Sequence, residues 1–296
     1  LRMVPIVCYF HENQLTYPIP ESHERDFQYG MTNITSCLAA DAVWFNSRFH
    51  MEDFLAAVAQ LLGKMPDFVP KDVVREIRDR AAVVPPPVPA DRTDRAATPQ
   101  DHPLTILWCH RWEYDKNPEP FFDAVVRLDE AGYAFDLVLV GEQFRTAPPV
   151  FAAAWDRLHR HITHAGYIPD RADYLSMLSR CDVVASTAIQ ENCGIAVIEA
   201  ILAGCQPLLP NRLAYPEVIP REFHKSCLYS SDAEFFERLR DLLEGRGTLD
   251  YDSQADIQAS IEARFGSVSA VHRLDDALVD VVNRSRCERL PDIRLL

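Results

Sequence analysis

The chain has 296 residues, 48% apolar and 25% charged, enough for one large or two ordinary folded domains and unlike a disordered chain. Its formal net charge of -14 argues against a protein that coats nucleic acid without regard to sequence, while leaving room for a local basic patch. No apolar run reaches the ~20 residues of a membrane span, and the opening LRMVPIVCYF reads as a strand rather than a secretory leader.

In chain order, VPIVCYF (Val4–Phe10) predicts a buried strand, and FQYGMTNITSCLAAD (Phe27–Asp41) has helical spacing. AVWFNS (Ala42–Ser47) is a second strand, a helix follows over about 51–62, and a last strand precedes four prolines between Val84 and Arg92. Lys71, Arg75, Arg78 and Arg80 in KDVVREIRDR form a basic cluster, read as a solvated helix face. The prolines and the polar run after them predict a stiff linker over 89–102. The first domain is then 1–88 and the second 103–296. Three strands make a thin sheet with an open edge, so the N-terminal domain reads as incomplete, lacking its first part.

Beyond the linker, LTILWCH, FDLVLVG, ITHAGYI, DVVAST and CQPLLP read as strands. PEPFFDAVVRLDEAG, VFAAAWDRLHRH, ADYLSMLSRC and GIAVIEAILAG alternate with them as helices, and further helices run to about 285. Strands apolar on both faces, alternating with helices, predict an α/β fold with a covered parallel sheet. No GxGxxG, P-loop or internal repeat is present. The eight cysteines show no zinc spacing and read as reduced, buried thiols of a cytoplasmic protein. Asn33-Ile34-Thr35 is a glycosylation sequon by letter only.

Three strings carry chemistry. In QENCGIAVIEAILAG, Glu191 and Glu199 are separated by seven residues, and Glu199 interrupts an otherwise apolar helix. A buried carboxylate needs a compensating partner, either a cation of the protein or a ligand. Gly194 permits a tight turn, and the helix start at Cys193, Gly194 and Ile195 offers N–H groups suited to phosphate. A carboxylate inside that helix could accept from both hydroxyls of a vicinal diol such as a ribose. HRWEYDKNP follows a strand and brings Arg111 and Lys116, either of which could reach a pyrophosphate or pair with Glu113 and Asp115 in a solvated loop. His11-Glu12-Asn13-Gln14 ends the first strand, and Arg25, Asp26, Gln28 and Tyr29 sit in ERDFQYG at a helix start.

Together, strand–HENQ, strand–HR(x4)K and E(x7)E opening a helix resemble the retaining nucleotide-sugar glycosyltransferases of GT-B type, with two Rossmann-like domains facing a cleft. YFHENQLTYP, ERDFQYG, HRWEYDKNPEPFF and AYPEVIP resemble more narrowly the tRNA-queuosine α-mannosyltransferase family, from about Val4 to Pro220. That resemblance implies GDP-mannose as donor and the cyclopentene-diol of queuosine, in the anticodon of an aspartate tRNA, as acceptor. It implies Arg111 and Lys116 on the diphosphate and Glu199 on the ribose hydroxyls, compensated by that ligand. Glu191, Cys193, Gly194 and Ile195 would face the sugar and phosphates, and His11 the reacting carbon. Glu12, Asn13, Gln14, Arg25, Asp26, Gln28 and Tyr29 would shape the acceptor side. No cofactor, metal or membrane is expected. A glycan or lipid acceptor, and a non-catalytic nucleotide-sugar-binding module, are the alternatives.

Overall fold

Strands that are apolar on both faces must be covered on both faces, and helices provide the cover in both halves of this chain. The structure, a computed structural model, describes residues 4–19, 25–66, 70, 72–89, 102–143 and 148–287. Its contacts separate two units, Leu1–Pro87 with Ser267–Leu296, and Val88–Gly266.

The first unit holds β1 (Val7–Phe10), α1 (Phe27–Ala39), β2 (Ala42–Phe45), α2 (Arg48–Leu62), α3 (Val73–Arg80) and β3 (Ala81–Val83). The three strands pair in parallel in the order β1-β2-β3. β1 starts three residues later than expected, because Pro5 lacks a backbone donor. Helix α2 starts three residues earlier than expected, where Ser47 caps it by accepting from the His50 N–H at 3.1 Å. Phe10, Phe45, Phe54 and Ile77 form the core between sheet and helices.

In the second unit, β4 (Leu104–Cys109), α4 (Pro118–Glu130), β5 (Phe135–Val140), α5 (Val150–Leu158), β6 (Ile162–Gly166), α6 (Arg171–Leu178), β7 (Val183–Ala185), α7 (Ile195–Leu202) and β8 (Gln206–Pro210) follow in strict alternation. The short helices α8 (Tyr215–Val218) and α9 (His224–Cys227) lead to β9 (Leu228–Tyr229), and α10 (Asp232–Leu243) and α11 (Tyr251–Phe265) close the unit. Its parallel strands run β6-β5-β4-β7-β8-β9. This is the doubly wound order, with the crossover direction reversing between β4 and β7. The two-residue β9 is too short to show a period in sequence.

The last helix, α12 (Ser267–Cys287), departs from the expected boundaries. It belongs to the first unit, so the second ends at Gly266 rather than 296. Leu274, Ala277 and Val281 of α12 pack with Trp44 and Val84, covering the sheet face that α1–α3 leave open. The expected linker is pinned at its start. Val88 is fully buried in the second unit and donates to the Phe265 carbonyl at 2.7 Å. Residues 90–101, Lys71 and Glu24 lie outside the described residues. Arg78 makes two 2.7 Å bonds to Glu52, Arg75 pairs with Asp72, and Arg80 donates to the Leu38 carbonyl, so these cations serve a paired helix surface. The seven cysteines whose side chains are described are free, and six are buried. Burial raises the Cys37 and Cys227 thiols to about 12, which keeps them unreactive. No helix among the described residues is long and apolar enough to cross a membrane.

His50 is fully buried, and neither ring nitrogen has a hydrogen-bond partner among the described residues. Burial, with nearby His11 adding to it, lowers its pKa to about 4. The unfolded chain therefore takes up a proton near pH 6.5 that the folded one refuses. Stability should be full above that pH and fall by about 3 kcal/mol on going to pH 4. His50→Leu should leave stability at pH 7 within about 1 kcal/mol of the parent, or raise it, and flatten this acid slope. Urea unfolding at pH 7 and pH 4 measures both, and an unaltered slope would remove His50 as its source.

Candidate functional site

Because β4 and β7 are neighbours, the loops leaving their carboxyl ends meet. Residues 110–117 follow β4. Asn117 there adopts a left-handed backbone (φ 48°), which turns the chain from the short 3-10 segment Tyr114–Lys116 into α4, with Pro118 at the first helical position. Residues 186–194 follow β7. Thr187 donates to the Asn117 carbonyl at 2.7 Å, and the Ile189 and Gln190 N–H groups donate to the Asp115 carbonyl at 3.0 and 3.2 Å. The loop after β8 supports them from the other side. Tyr215 and Ser186 share a 2.7 Å hydroxyl bond, and Arg212 donates to the Thr187 and Ala188 carbonyls.

Lys116 lies at this junction and is 8% exposed. Its ammonium donates to the Gln190 carbonyl at 2.8 Å and stands 3.2 Å from Asp115 and 3.4 Å from Glu191. Asp115 is fully buried, and its oxygens lack a well-aligned hydrogen bond, so the neighbouring charge is what compensates it. The other oxygen of Glu191 accepts from the Gly194 N–H at 2.9 Å and the Cys193 N–H at 3.4 Å. Burial pushes the Glu191 pKa up, but Lys116 and the two N–H groups outweigh it and hold this carboxyl below its ordinary range. Two of the N–H groups expected to face phosphate are thus occupied by Glu191 in this structure. Gly194 takes φ 81°, a conformation costly for other residues, and turns the chain into α7. Cys193 is buried and its thiol is raised to about 12, first by burial and then by Glu191.

A cavity of about 350 Å³ opens at the carboxyl ends of β4, β5 and β6. His110 and Arg111 line it from β4, Gly141 and Glu142 from β5, Tyr167 from β6, Arg171 and Tyr174 from α6, and Ala196 from α7. A Cβ on Gly141 would overlap the His110 carbonyl, so only glycine allows the two strand ends to pass this closely. Burial, reinforced by Lys116, lowers the His110 pKa to about 3 and keeps its ring neutral. Arg111 is half-exposed and pairs with Glu113 at 3.3 Å.

Glu199 is 9% exposed. Of the two kinds of partner considered for it, a cation of the protein is present. One oxygen meets Arg171 at 2.7 Å and the other accepts from the Tyr174 hydroxyl at 3.0 Å. The buried charge is balanced within the protein through two residues of α6. Sequence reading passed over Arg171 and Tyr174, and it offered Asp115 only as a partner in a solvated loop. The available signal was position, since Arg171 opens a helix just past the carboxyl end of a strand, after the capping Asp170.

In the first unit, the candidate residues divide into builders and exposed groups. Asn13 is fully buried, and its side-chain oxygen accepts from the Leu15 and Thr16 N–H groups, closing an Asx turn. Arg25 donates to the Gln14 and Tyr17 carbonyls at 2.6 and 2.8 Å. Asp26 caps α1. Asn33, the residue of the sequon, accepts from the Gln14 N–H, which gives it a structural task. Asn13, Arg25 and Asp26 thus hold the loop in shape, whereas His11, Glu12, Gln28 and Tyr29 are exposed and Gln14 is half-buried. The His11 ring lies 4.5 Å from that of Tyr9.

The doubly wound sheet with a cavity at its carboxyl edge is an open α/β arrangement of the kind that takes ligands at its strand ends. Similar solved structures place the fold in the GT-B class. The Anabaena protein HepE, with UDP and glucose bound, is 16% identical with a TM-score of 0.67, covering 93% of this chain and 71% of that one. The sucrose-phosphate synthase of Thermosynechococcus elongatus is 16% identical with a TM-score of 0.71, covering 94% of this chain and 68% of that one. Residues 90–259 match the profile of the glycosyl transferases group 1 family, and residues 1–88 match that of the tRNA-queuosine alpha-mannosyltransferase N-terminal region. The chain belongs to the glycosyl transferases group 1 family, in agreement with the resemblance read from HENQ, HR(x4)K and E(x7)E. A Drosophila melanogaster protein named tRNA-queuosine alpha-mannosyltransferase is 38% identical over 225 residues, 73% of this chain and 59% of that protein. The chain therefore spans somewhat over half the length of that relative.

Lys116→Met removes a nearly buried cation and strands two carboxylates, so it should cost about 3–5 kcal/mol. Arg111→Ala removes an exposed pair and should stay within about 1 kcal/mol. Denaturant unfolding of the two variants side by side tests the contrast, and equal losses would contradict the burial argument.

Proposed function

We propose that this chain forms the core of a retaining glycosyltransferase, a cytoplasmic enzyme that moves mannose from GDP-mannose to the cyclopentene-diol of queuosine in the anticodon of aspartate tRNA. The observation that carries the acceptor is the match of residues 1–88 to the N-terminal region of the queuosine mannosyltransferases, because that half carries HENQ and ERDFQYG. An anticodon loop suits such an enzyme, since its bases can be splayed out for recognition. The exposed His11, Glu12, Gln28 and Tyr29 are assigned to the acceptor side, with Gln14 beside them.

The donor is assigned to the second unit. The cavity beside Tyr167 is of a size and apolar character that fit a nucleoside, and Glu199, bonded to the lining residues Arg171 and Tyr174, would take the ribose hydroxyls. Arg111 and Lys116 would hold the diphosphate, the first as a planar fork and the second as a point charge. Glu191 and the start of α7 at Cys193, Gly194 and Ile195 would face the sugar and phosphates. Breaking the anomeric carbon–oxygen bond builds positive charge on the sugar and negative charge on the departing GDP. Cations fixed beforehand stabilise the latter without reorganisation. The leaving phosphate oxygen takes the proton of the attacking hydroxyl, so retention needs no carboxylate nucleophile of the kind that retaining glycosidases use.

Incubating the protein with GDP-mannose and queuosine-containing tRNA should add one hexose to the tRNA, read by mass spectrometry of its nucleosides. Transfer to a glycan or lipid but not to tRNA would replace the acceptor, and GDP binding without transfer to any of these would favour a binding module. Glu199→Ala should weaken GDP binding about tenfold or more. Unchanged affinity, measured by calorimetry, would remove Glu199 from the site.

A further inference from the structure

We propose that Arg171 and Tyr174 are positioning residues that set the Glu199 carboxylate as a reader of the ribose diol, so that the site discriminates ribonucleotides from 2′-deoxyribonucleotides. This rests on the nucleotide assignment of the cavity made above.

A carboxylate on a flexible side chain can present its oxygens at many angles, and a diol gains little from an acceptor it must first orient. Glu199 does not have that freedom. Arg171 holds one oxygen at 2.7 Å and Tyr174 the other at 3.0 Å. With one partner on each oxygen, the plane of the carboxylate is fixed. A carboxylate offers about four lone-pair sites, so roughly one per oxygen is left over. Two adjacent hydroxyls match two such sites, and a single hydroxyl fills only one of them.

The supports are themselves braced. Arg171 and Tyr174 are three residues apart on α6 and share a face. The guanidinium lies 5.4 Å from the centre of the Tyr174 ring. Asp170 caps the helix by accepting from the Ala172 and Asp173 N–H groups at 2.8 and 3.0 Å, which fixes where the helix begins. Burial raises the Tyr174 phenol far above its ordinary range, so it remains a donor at every working pH. Arg171 lines the cavity with its side chain 45% exposed, and Tyr174 lines it as well, which places both beside the proposed nucleoside.

The test is calorimetric titration of GDP and 2′-deoxy-GDP into the protein and into Tyr174→Phe, Arg171→Ala and Arg171→Lys. The parent should prefer GDP about tenfold or more, the worth of a hydrogen bond to a charged group. Tyr174→Phe keeps the packing and loses only the hydroxyl. It should reduce the preference to about threefold or less, mainly by weakening GDP. Arg171→Ala should act in the same direction, and Arg171→Lys should restore part of the preference because it keeps a donor and the charge. Folded variants that retain the full preference would overturn the positioning role and leave Glu199 as the diol site. Equal losses for GDP and 2′-deoxy-GDP would also overturn it, since they would mark a purely structural pair. A parent that binds both nucleotides alike would instead refute the diol reading of Glu199 itself, which separates the two failures.

Discussion

A single ammonium group holds the candidate site in register. Lys116 leaves the end of β4, reaches across to the loop after β7, and ends between a backbone carbonyl and two carboxylates. A charge placed this deep is tolerated only where all its partners are present. Those partners come from positions one and about 75 residues away in sequence, so the contact can form only when β4 and β7 lie side by side. The sheet order and the site are thus one constraint seen at two scales. From Lys116 the ordering passes to Glu191, from Glu191 to the N–H groups of Cys193 and Gly194, and so to the start of α7 and the position of Glu199.

Both glutamates of the E(x7)E pattern are nearly buried, yet they are balanced differently. Glu191 is held by a lysine and by the backbone of its own helix start, and Glu199 by an arginine and a tyrosine from the neighbouring helix. Both carboxylates already have partners within the protein. Any anion or diol that enters must therefore exchange for existing contacts or complete them, and the net gain is smaller than a sum of new hydrogen bonds would suggest. Rigidity is what offsets this. Groups already fixed by one partner lose little entropy when they acquire a second.

How much could be read in advance follows from the range of each interaction. The alternation of apolar strands and helices is local, and it revealed the α/β class, the parallel sheets, the strand ends after which Arg111, Lys116 and Glu191 lie, and the helix that carries Glu199. Gly194 was legible because a left-handed turn before a helix selects glycine. The partner of Glu199 was not legible: Arg171 lies 28 residues upstream, and nothing in ADYLSML marks the face it shares with Tyr174. For the same reason the structural tasks of Asn13 and Asp26 were not legible. A buried Asx turn and a helix cap use the same side chains as a binding loop, and only burial and bonding distinguish them. Helix α12 was assigned by its place in the chain, whereas its apolar stripe of Leu274, Ala277 and Val281 belongs with Trp44 of the first unit.

Both units leave polar groups short of partners at the carboxyl edge of their sheets. In the second unit, His110 Nε2, one Glu113 oxygen and both Asp115 oxygens are buried without a hydrogen bond among the described residues, although Arg111 and Lys116 stand beside the two carboxylates. In the first, Asn46 and His50 follow β2, and the Asn46 side-chain oxygen and both His50 nitrogens are buried without a partner among the described residues. Each such atom costs about 1–3 kcal/mol. The neutral form that burial forces on His50 limits that cost without removing it. Asn46 donates its amide to the His11 carbonyl at 3.2 Å, so this edge adjoins the HENQ loop. Stability is given up beside that loop, and polar groups left short of partners are usual where a chain has been shaped for something other than folding.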